Sequence, residues 1–454
     1  VTTAPSGGAI RLKGTAAAGN NAGIVIETAS LESGEDAIWL EGQGSGEGQA
    51  IHSVTADGWI ESGGGILLKS AGGDVVVAGA VRAVELLLQD DTPTGDVGFS
   101  LDHSFNDVAV LAAGGTGSSG RVGSVAFRNG NGFAVGSVEG GDEVGFEGIR
   151  ANGDVSLFAA GGNLTPLVVN EAIDSLAGSI HLEGFDVAIQ SPVSALSGDI
   201  TVAVGAQTYS QGVGGTAMIA ADLVHGGELR FLGSTGAGDT VTYADWSGAP
   251  LAFDFAWLDG IENLIGSSAA SDQFHGPGAA ASYRFGAGGT IEVGGVEVSG
   301  FENLFAGSGN DTFVVAPGGG LSGLLHGGGG VDLLDYAGYG SPVSVHLGAA
   351  RATGFNGVTG VEIYRGSAFE DTLTGTAGND TFTIYADNAG QVNGGTLFFS
   401  FEHLRGIGGA DRFLFQNQAT VGSVDGGAGD DLLQIDDRNL GGTHTYTITG
   451  NRIT

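Results

Sequence analysis

Short alternating segments, each preceded by small residues, recur through the first half of the chain. Apolar side chains occupy every second position in them, as in Val155 with Leu157 and Ile180 with Leu182. Because successive side chains of a strand point to opposite faces, the pattern predicts strands with one buried face. Such segments lie at residues 7–12, 64–68, 73–77, 153–157, 178–182 and 198–202.

One stretch, residues 78–89, also offers a helical alternative. Val81, Val84 and Leu88 could form a helical stripe, but the preceding Val75–Val77 reads equally well as a strand that continues. Glycine costs roughly 1 kcal/mol in a helix interior, so a chain this rich in glycine is poorly suited to helical repeats.

The second half repeats itself at fixed spacing. Glutamates in the pattern Gly-x-Glu-Asn-Leu or close variants stand 40, 60 and 40 positions apart, at Glu262, Glu302, Glu362 and Glu402. Nine or ten residues after each glutamate comes an aspartate, followed two positions later by a large apolar residue: Asp272/Phe274, Asp311/Phe313, Asp371/Leu373 and Asp411/Phe413. Such repetition predicts units that bury their apolar faces by stacking on their neighbours.

These patterns predict an elongated, all-β repeat protein in two sections. Residues 1–225 form an irregular section, and residues 226–454 form repeats of about 100 residues, the last of them truncated. The variable strand spacing favours coils of a parallel solenoid over a propeller of fixed blades. We expect nearly helix-free parallel β-structure in both sections, with these side chains inward: Ile10, Leu12, Val155, Leu157, Ile180, Leu182, Leu264, Leu304, Phe313, Phe382 and Phe413.

Composition narrows the class of protein. The 454 residues include 89 glycines without a Gly-X-Y period and 41% apolar residues, which is not typical of collagen or of a disordered tract. A net charge of −36 argues against nucleic acid and anionic membranes as partners. Cysteine is absent, and no apolar run approaches the roughly 18 residues that span a bilayer. We expect a segment of a longer polypeptide, with any secretion signal outside it.

Two resemblances follow from these motifs. The strands of residues 1–210, especially Gly-Ser-Ile-His-Leu-Glu-Gly-Phe-Asp-Val-Ala-Ile-Gln-Ser-Pro-Val at 178–193, resemble the shaft of filamentous-haemagglutinin-type bacterial adhesins. The Gly-x-Glu-Asn-Leu and Gly-Asn-Asp-Thr-Phe units of residues 230–454 resemble the repeats of very large secreted surface proteins that also carry RTX nonapeptides. The resemblances imply a right-handed parallel β-helix outside a bacterial cell.

The RTX resemblance also implies calcium. The family pattern Gly-Gly-x-Gly-x-Asp-x-apolar-x is complete at 327–335 and 426–434, nearly complete at 306–314, and weaker in the tandem 366–374 and 375–383. Its aspartates and backbone carbonyls would hold Ca²⁺, which selects Asp311, Asp332, Asp371, Asp380 and Asp431. The alternative is that these aspartates only cap tight turns by accepting nearby backbone N–H groups.

The repeated glutamates have two interpretations as well. They could be calcium ligands or part of a recognition face. Alternatively they mark a strand edge, with Leu264, Leu304 and Leu404 in the core and the asparagines in hydrogen-bonded turns.

Catalysis has little support in the sequence. Parallel β-helices also carry polysaccharide lyases and hydrolases, which need clustered carboxylates with Arg or Lys, whereas the arginines and nine histidines here are dispersed. We therefore expect a non-enzymatic extracellular structural or adhesive segment that binds other cells, surfaces or glycans. A self-assembling filament or surface-layer component, binding copies of itself, is the alternative. A polysaccharide-active enzyme is a remote one.

Overall fold

The fold is all-β, as the sequence predicts. The computed structural model describes residues 9–16, 22–26, 30–45, 48–53, 58–139, 145–160, 166–205, 214–234, 238–436 and 438. Within these ranges the regular structure is strand, apart from one three-residue 3-10 helix, Phe255–Trp257. No helix in the described part of the chain has the length and apolar character to cross a membrane.

Fifty strands are described, most of them three to six residues long. The first 27 are β1 (Ile10–Thr15), β2 (Ile24–Ile26), β3 (Leu31–Ser33), β4 (Ile38–Gln43), β5 (Ile51–Ser53), β6 (Trp59–Ser62), β7 (Gly65–Ser70), β8 (Val75–Val77), β9 (Ala80–Asp90), β10 (Gly98–Asp102), β11 (Asp107–Gly115), β12 (Ser124–Asn129), β13 (Phe133–Val135), β14 (Ser137–Val138), β15 (Phe146–Glu147), β16 (Ile149–Ala151), β17 (Val155–Ala159), β18 (Leu167–Val169), β19 (Ile173–Ser175), β20 (Ile180–Glu183), β21 (Val187–Ile189), β22 (Val193–Ala195), β23 (Ile200–Ala203), β24 (Thr216–Ile219), β25 (Leu223–His225), β26 (Leu229–Leu232) and β27 (Thr240–Thr242).

The remaining strands are β28 (Ala252–Asp254), β29 (Leu258–Asp259), β30 (Asn263–Ile265), β31 (Gln273–His275), β32 (Ser282–Phe285), β33 (Ile291–Val293), β34 (Val296–Ser299), β35 (Asn303–Phe305), β36 (Thr312–Val315), β37 (Leu321–His326), β38 (Leu333–Asp335), β39 (Ser344–His346), β40 (Arg351–Ala352), β41 (Phe355–Thr359), β42 (Ile363–Arg365), β43 (Thr372–Thr374), β44 (Thr381–Ala386), β45 (Ala389–Val392), β46 (Thr396–Phe399), β47 (His403–Gly408), β48 (Arg412–Gln416), β49 (Ser423–Ala428) and β50 (Leu432–Asp436).

The chain divides into two compact units. The first comprises residues 1–248 with 257–263, and the second comprises residues 249–256 with 264–454. The section boundary at 225/226 is a statement about the repeat pattern of the sequence, and it remains a prediction.

Long parallel ladders build the first unit. Strands β19, β20 and β21 are followed by β22, β23 and β24, and then by β25, β26 and β27. Each of the first six pairs in parallel with the strand three places later, so the chain returns to the same three ladders in turn. One ladder alone contains ten strands, from β2 to β29. Each pass of the chain across the ladders is called a rung below.

In-register columns of apolar side chains fill the interior of the first unit. Val125, Val155, Ile180, Ile200 and Leu229 occupy one column on successive rungs, and all are buried. Each such side chain contributes roughly 1.5–3 kcal/mol when it is fully buried. The inward predictions for this unit are confirmed at Ile10, Val155, Leu157, Ile180 and Leu182. Leu12, in the first strand that the structure describes, is only half-buried.

The helical alternative for residues 78–89 is wrong. Residues 80–90 form strand β9, which pairs in parallel with β7 and β11 over most of its length. Leu86 and Leu88 are fully buried on its inner face. The strand reading that continues from Val75–Val77 is therefore the correct one, with a short break at Ala78 and Gly79.

Neither unit is purely parallel, which differs from the expectation. In the first unit β14 and β15 form an antiparallel pair. The second unit departs further from it. Parallel ladders run through it, but three antiparallel meanders interrupt them: β32–β34, β39–β41 and β44–β46. Their turns use residues that tolerate positive φ, such as Gly294 and Gly295 at 58° and 86°, and Asn393 and Gly394 at 52° and 72°. The two-residue turn at Gly294 and Gly295 matches the twist of a hairpin, and the turn from β45 to β46 has three residues, 393–395.

Aromatic stacks form much of the core of the second unit. The rings of Phe382 and Phe413 stack with centroids 4.8 Å apart, and those of Tyr283 and Phe313 with centroids 5.2 Å apart. All the inward predictions for this part of the chain are confirmed as fully buried: Leu264, Leu304, Phe313, Phe382 and Phe413.

Candidate functional site

A series of aspartates lies at the places where the chain enters a strand. Each aspartate directly precedes its strand, as Asp272 precedes β31 and Asp332 precedes β38. Seven of the eight are essentially inaccessible, and the last is half-buried: Asp239, Asp272, Asp311, Asp332, Asp371, Asp380, Asp411 and Asp431. Buried carboxylates need partners, so their hydrogen bonds decide what this series does.

One carboxylate oxygen of nearly every member accepts a backbone N–H from the preceding rung. The donors to Asp239, Asp272, Asp311, Asp332, Asp371, Asp411 and Asp431 are, in that order, the amides of Gly215, Leu251, Ala281, Asp311, Val343, Asp380 and Asp411, at 2.6–3.0 Å. Asp380 instead accepts from the Asn393 side chain at 2.7 Å. These bonds join neighbouring rungs at points where strand hydrogen bonding begins.

The repeated glutamates continue the same linkage. Oε2 of Glu262, Glu302, Glu362 and Glu402 accepts the backbone N–H of Asp239, Asp272, Asp332 and Asp371 respectively, at 2.8–2.9 Å. Leu264, Leu304 and Leu404 are fully buried beside them, which confirms their predicted place in the core. Asn303 also bridges rungs, because it donates to the Asp272 carbonyl and accepts from the Leu324 amide.

The second carboxylate oxygen divides the aspartates into two classes. In the first class a serine or threonine four or five residues earlier donates to it through its backbone N–H. The pairs are Ser234 with Asp239, Ser267 with Asp272, Ser367 with Asp371, and Thr376 with Asp380. The hydroxyl of each of these residues also donates to the carboxylate. We call these the hydroxyl-capped aspartates.

In the second class Oδ2 is buried without a hydrogen bond. This is found at Asp311, Asp332, Asp411 and Asp431, and we call them the open aspartates. Neither position four nor position five before any of them carries a hydroxyl; those positions are held by alanine, isoleucine and glycine. Burial raises the pKa of Asp311, Asp332 and Asp411, and the neighbouring carboxylates of Asp311 and Glu362 raise the pKa of Asp332 further.

Glycine stands five positions before aspartates of both classes. A Cβ on Gly426 would lie 2.2 Å from Asp431 Oδ2, and a Cβ on Gly375 would lie 2.4 Å from Asp380 Oδ2. A Cβ on Gly327 would meet the Gly360 carbonyl oxygen at 1.8 Å and Asp332 Oδ2 at 2.7 Å. Close packing therefore favours glycine at this position, although Ala306 holds it before Asp311.

The five predicted calcium ligands are thus not equivalent. Asp311, Asp332 and Asp431 each keep an oxygen without a partner, whereas both oxygens of Asp371 and Asp380 are occupied. Asp311 and Asp332 are brought together by the 2.7 Å bond from the Asp311 amide to Asp332 Oδ1. Asp371 and Asp380 precede strands of two different sheets, β43 and β44.

The sequence interpretation missed Asp411, which belongs with the open aspartates. Its signal was available as the lack of a serine or threonine four or five residues earlier. Among the described residues no group of three or more histidine, aspartate or glutamate side chains is arranged to hold a metal ion. Any cation there would need backbone carbonyls or water to complete its ligands.

The arrangement can hold neighbouring rungs together and can offer single carboxylate oxygens to a cation or a proton. Comparison of the chain with models of known protein families, with curated proteins and with solved structures finds no match.

Proposed function

We propose that the chain is a non-enzymatic structural and adhesive segment of a large bacterial surface or secreted protein. The observation that carries this proposal is the use of the repeated acids. Glu262, Glu302, Glu362 and Glu402, with the aspartates that they bind, join one rung to the next. Residues repeated for this purpose serve a scaffold that is extended by adding units.

The proposed architecture is a right-handed parallel β-helix. It is supported by the order in which the chain revisits three parallel ladders in the first unit. Connections between parallel strands of one sheet are right-handed in nearly all proteins, because strand twist favours that hand. The resemblance to haemagglutinin-type shafts points the same way.

The extracellular location and the adhesive role rest on the resemblances and on composition. A surface with net charge −36 stays soluble without binding nucleic acid, and the lack of cysteine removes any need for oxidative folding.

Self-assembly is the second candidate function, and one surface feature favours it. Leu176 and Leu196 directly follow paired strands on successive rungs, with 46% and 51% of their surface exposed. Val224 on the next rung, in register with Ser194, is 47% exposed. Exposed apolar residues on three neighbouring rungs are suited to contact with another copy of the chain.

Calcium binding in the second unit is part of the proposal, now limited to the open aspartates. Their uncommitted Oδ2 atoms suit a hard cation that prefers oxygen ligands. Asp311, Asp332, Asp411 and Asp431 would each supply one oxygen. Bound calcium would neutralise buried negative charge and so strengthen the linkage between rungs.

The test is to coat the purified chain on beads and to measure attachment to bacterial and host cell surfaces, with sedimentation of the free chain measured in parallel. Attachment by a monomeric chain supports the adhesive role. Concentration-dependent assembly into fibres without attachment would replace it with the self-assembling function. If neither occurs, the interactive part of the proposal is wrong, and only the scaffold remains.

A further inference from the structure

An open groove of about 780 Å³ lies in the first unit, and no aspartate of the carboxylate series lines it. It follows the corners at which β10 turns into β11 and β12 turns into β13. Its volume falls within the roughly 300–1,000 Å³ typical of sites for small ligands.

Two rows of outward side chains border the groove. On one side Asp102, Arg128 and Phe158 occupy the same register position on three successive rungs. The Arg128 guanidinium bonds to Asp102 through Nε and lies 4.0 Å from the centre of the Phe158 ring. This row therefore presents an aromatic ring and a guanidinium held in place from both sides.

Arg82, Asp107 and Asn131 form the second row. Arg82 and Asp107 are paired in register, and Asn131 Nδ2 donates to Asp107 Oδ1 at 3.2 Å. Between the rows Phe105 projects from its turn with 68% of its surface exposed, the largest exposure among the large apolar side chains of the described chain. Gly130 and Ala160 line the groove between these side chains.

Buried hydrogen bonds fix the floor of the groove. Asn106 Oδ1 accepts from the Val81 amide at 2.7 Å, and its Nδ2 donates to the carbonyls of Leu101 and Arg128. Asn129 makes the corresponding bonds to Val108 on the next rung. A site on such a rigid base loses little conformational freedom when a ligand binds.

We propose that this groove binds a neutral oligosaccharide. Sugar rings have apolar C–H faces that stack on aromatic rings, and the exposed ring of Phe105 provides such a surface. The hydroxyl groups of a sugar both donate and accept hydrogen bonds. The groove offers donors on Arg82 and Asn131 and an acceptor on Asp107, so its polar chemistry matches a polyol in both directions.

The charges around the groove favour a neutral sugar over an anionic one. Arg128 pairs with Asp102, and Arg82 pairs with Glu61 at 3.4 Å, so the cations of the groove are already balanced by carboxylates. An anionic glycan or an acidic peptide would also meet the field of a chain with net charge −36. Each guanidinium retains N–H donors for hydroxyl oxygens, because it carries five and its ion pair uses few of them.

The proposal rests on the adhesive part of the proposed function and gives it a ligand class. The test is calorimetric titration of the full chain with neutral hexasaccharides of glucose, galactose and mannose, and in separate arms with a hexauronate and an acidic peptide. The variants are Phe105→Ala, Arg82→Gln and Asn131→Ala. Matched controls are Phe369→Ala and Arg230→Gln, which change an exposed ring and an exposed arginine elsewhere.

We expect at least one neutral hexasaccharide to bind and Phe105→Ala to weaken it about tenfold or more, which corresponds to about 1.4 kcal/mol. The controls should bind within about twofold of the original chain. Unchanged melting of Phe105→Ala, whose side chain is largely exposed, excludes unfolding as the cause. The proposal is overturned if only the hexauronate or the acidic peptide binds. It is also overturned if the three groove variants bind the neutral hexasaccharide as tightly as the original chain does. If the chain attaches to cells under those outcomes, the adhesive function stands without this groove.

Discussion

Replacing a single aspartate by asparagine should destabilise the protein in the hydroxyl-capped class and be tolerated in the open class. Asp371, a hydroxyl-capped aspartate, accepts the Val343 amide at 2.7 Å on one oxygen and the Ser367 amide on the other. Asparagine keeps one acceptor and places an NH₂ group where the other oxygen was. One buried N–H then faces a donor, and the bond lost is one to a charged group. We expect Asp371→Asn to cost about 2–3 kcal/mol.

Asp332, an open aspartate, should tolerate the same change. Its Oδ1 accepts the Asp311 amide, and an asparagine oxygen can take over that bond. Its Oδ2 has no partner to lose, and the substitution removes a buried charge that lies close to Asp311 and Glu362. We expect Asp332→Asn to change stability at pH 7 by less than about 1 kcal/mol, or to increase it.

Native-state hydrogen exchange, with chelator present, measures the local change in stability that each substitution causes. In Asp371→Asn the Val343 and Ser367 amides should exchange about 30–100 times faster, since each 1.4 kcal/mol is a factor of ten. In Asp332→Asn the exchange rate of the Asp311 amide should change by less than about fivefold, which corresponds to about 1 kcal/mol. Asp259→Asn, at an exposed position, controls for loss of charge alone. Equal acceleration at the two sites, or a larger one for Asp332→Asn, would refute the division into two classes.

Three further predictions concern the second unit. Phe382→Ala should cost about 3–5 kcal/mol and speed exchange mainly in neighbouring rungs; uniform acceleration across the chain would contradict stacking of linear units. Millimolar calcium should raise the melting temperature, and Asp332→Asn or Asp431→Asn should reduce that rise. At a hundredfold excess over Kd, calcium should add about 2.7 kcal/mol to the free energy of unfolding. Identical melting curves in calcium and in chelator, at matched ionic strength, would show that calcium does not stabilise the unit. In chelator, acidification should stabilise this unit, because the pKa values of Asp311, Asp332 and Asp411 in the folded state lie above the ordinary 3.8. The contribution of these three groups to the free energy of unfolding is complete below pH 3.8 and is lost as the pH rises through their folded pKa values. Urea titrations from pH 4 to 8 should show this slope and its loss in the triple asparagine variant.

Much of the fold follows from local sequence because strand alternation and burial have the same period. Ile180 and Leu182 could be placed inward without knowing which strands they pair with. The antiparallel meanders were also signalled, by Gly294-Gly295 and by Asn393-Gly394 between apolar segments. The repeat period by itself predicts uniform parallel stacking, which these turns contradict.

The candidate site could be predicted only in part, since its bonds join rungs about 20–30 residues apart. Which amide meets Glu362 depends on the strand register, which fixes Asp332 as its partner. By contrast, the two classes of aspartate depend on a residue only four or five positions away. Ser367 stands four residues before Asp371, whereas no serine or threonine stands four or five residues before Asp332. This difference can be read from the sequence once the role of that position is known.

The central claim is that the first unit is built from stacked parallel rungs, and distances between paired spin labels on one outward column test it most directly. Six residues on successive rungs hold one register position: Ser100, Ala126, Ser156, His181, Thr201 and Arg230. With rungs 4.7–4.9 Å apart, we predict label separations that grow in equal steps along the column and reach about 24 Å between Ser100 and Arg230. Separations that do not grow with the number of rungs between the labels would contradict the claim.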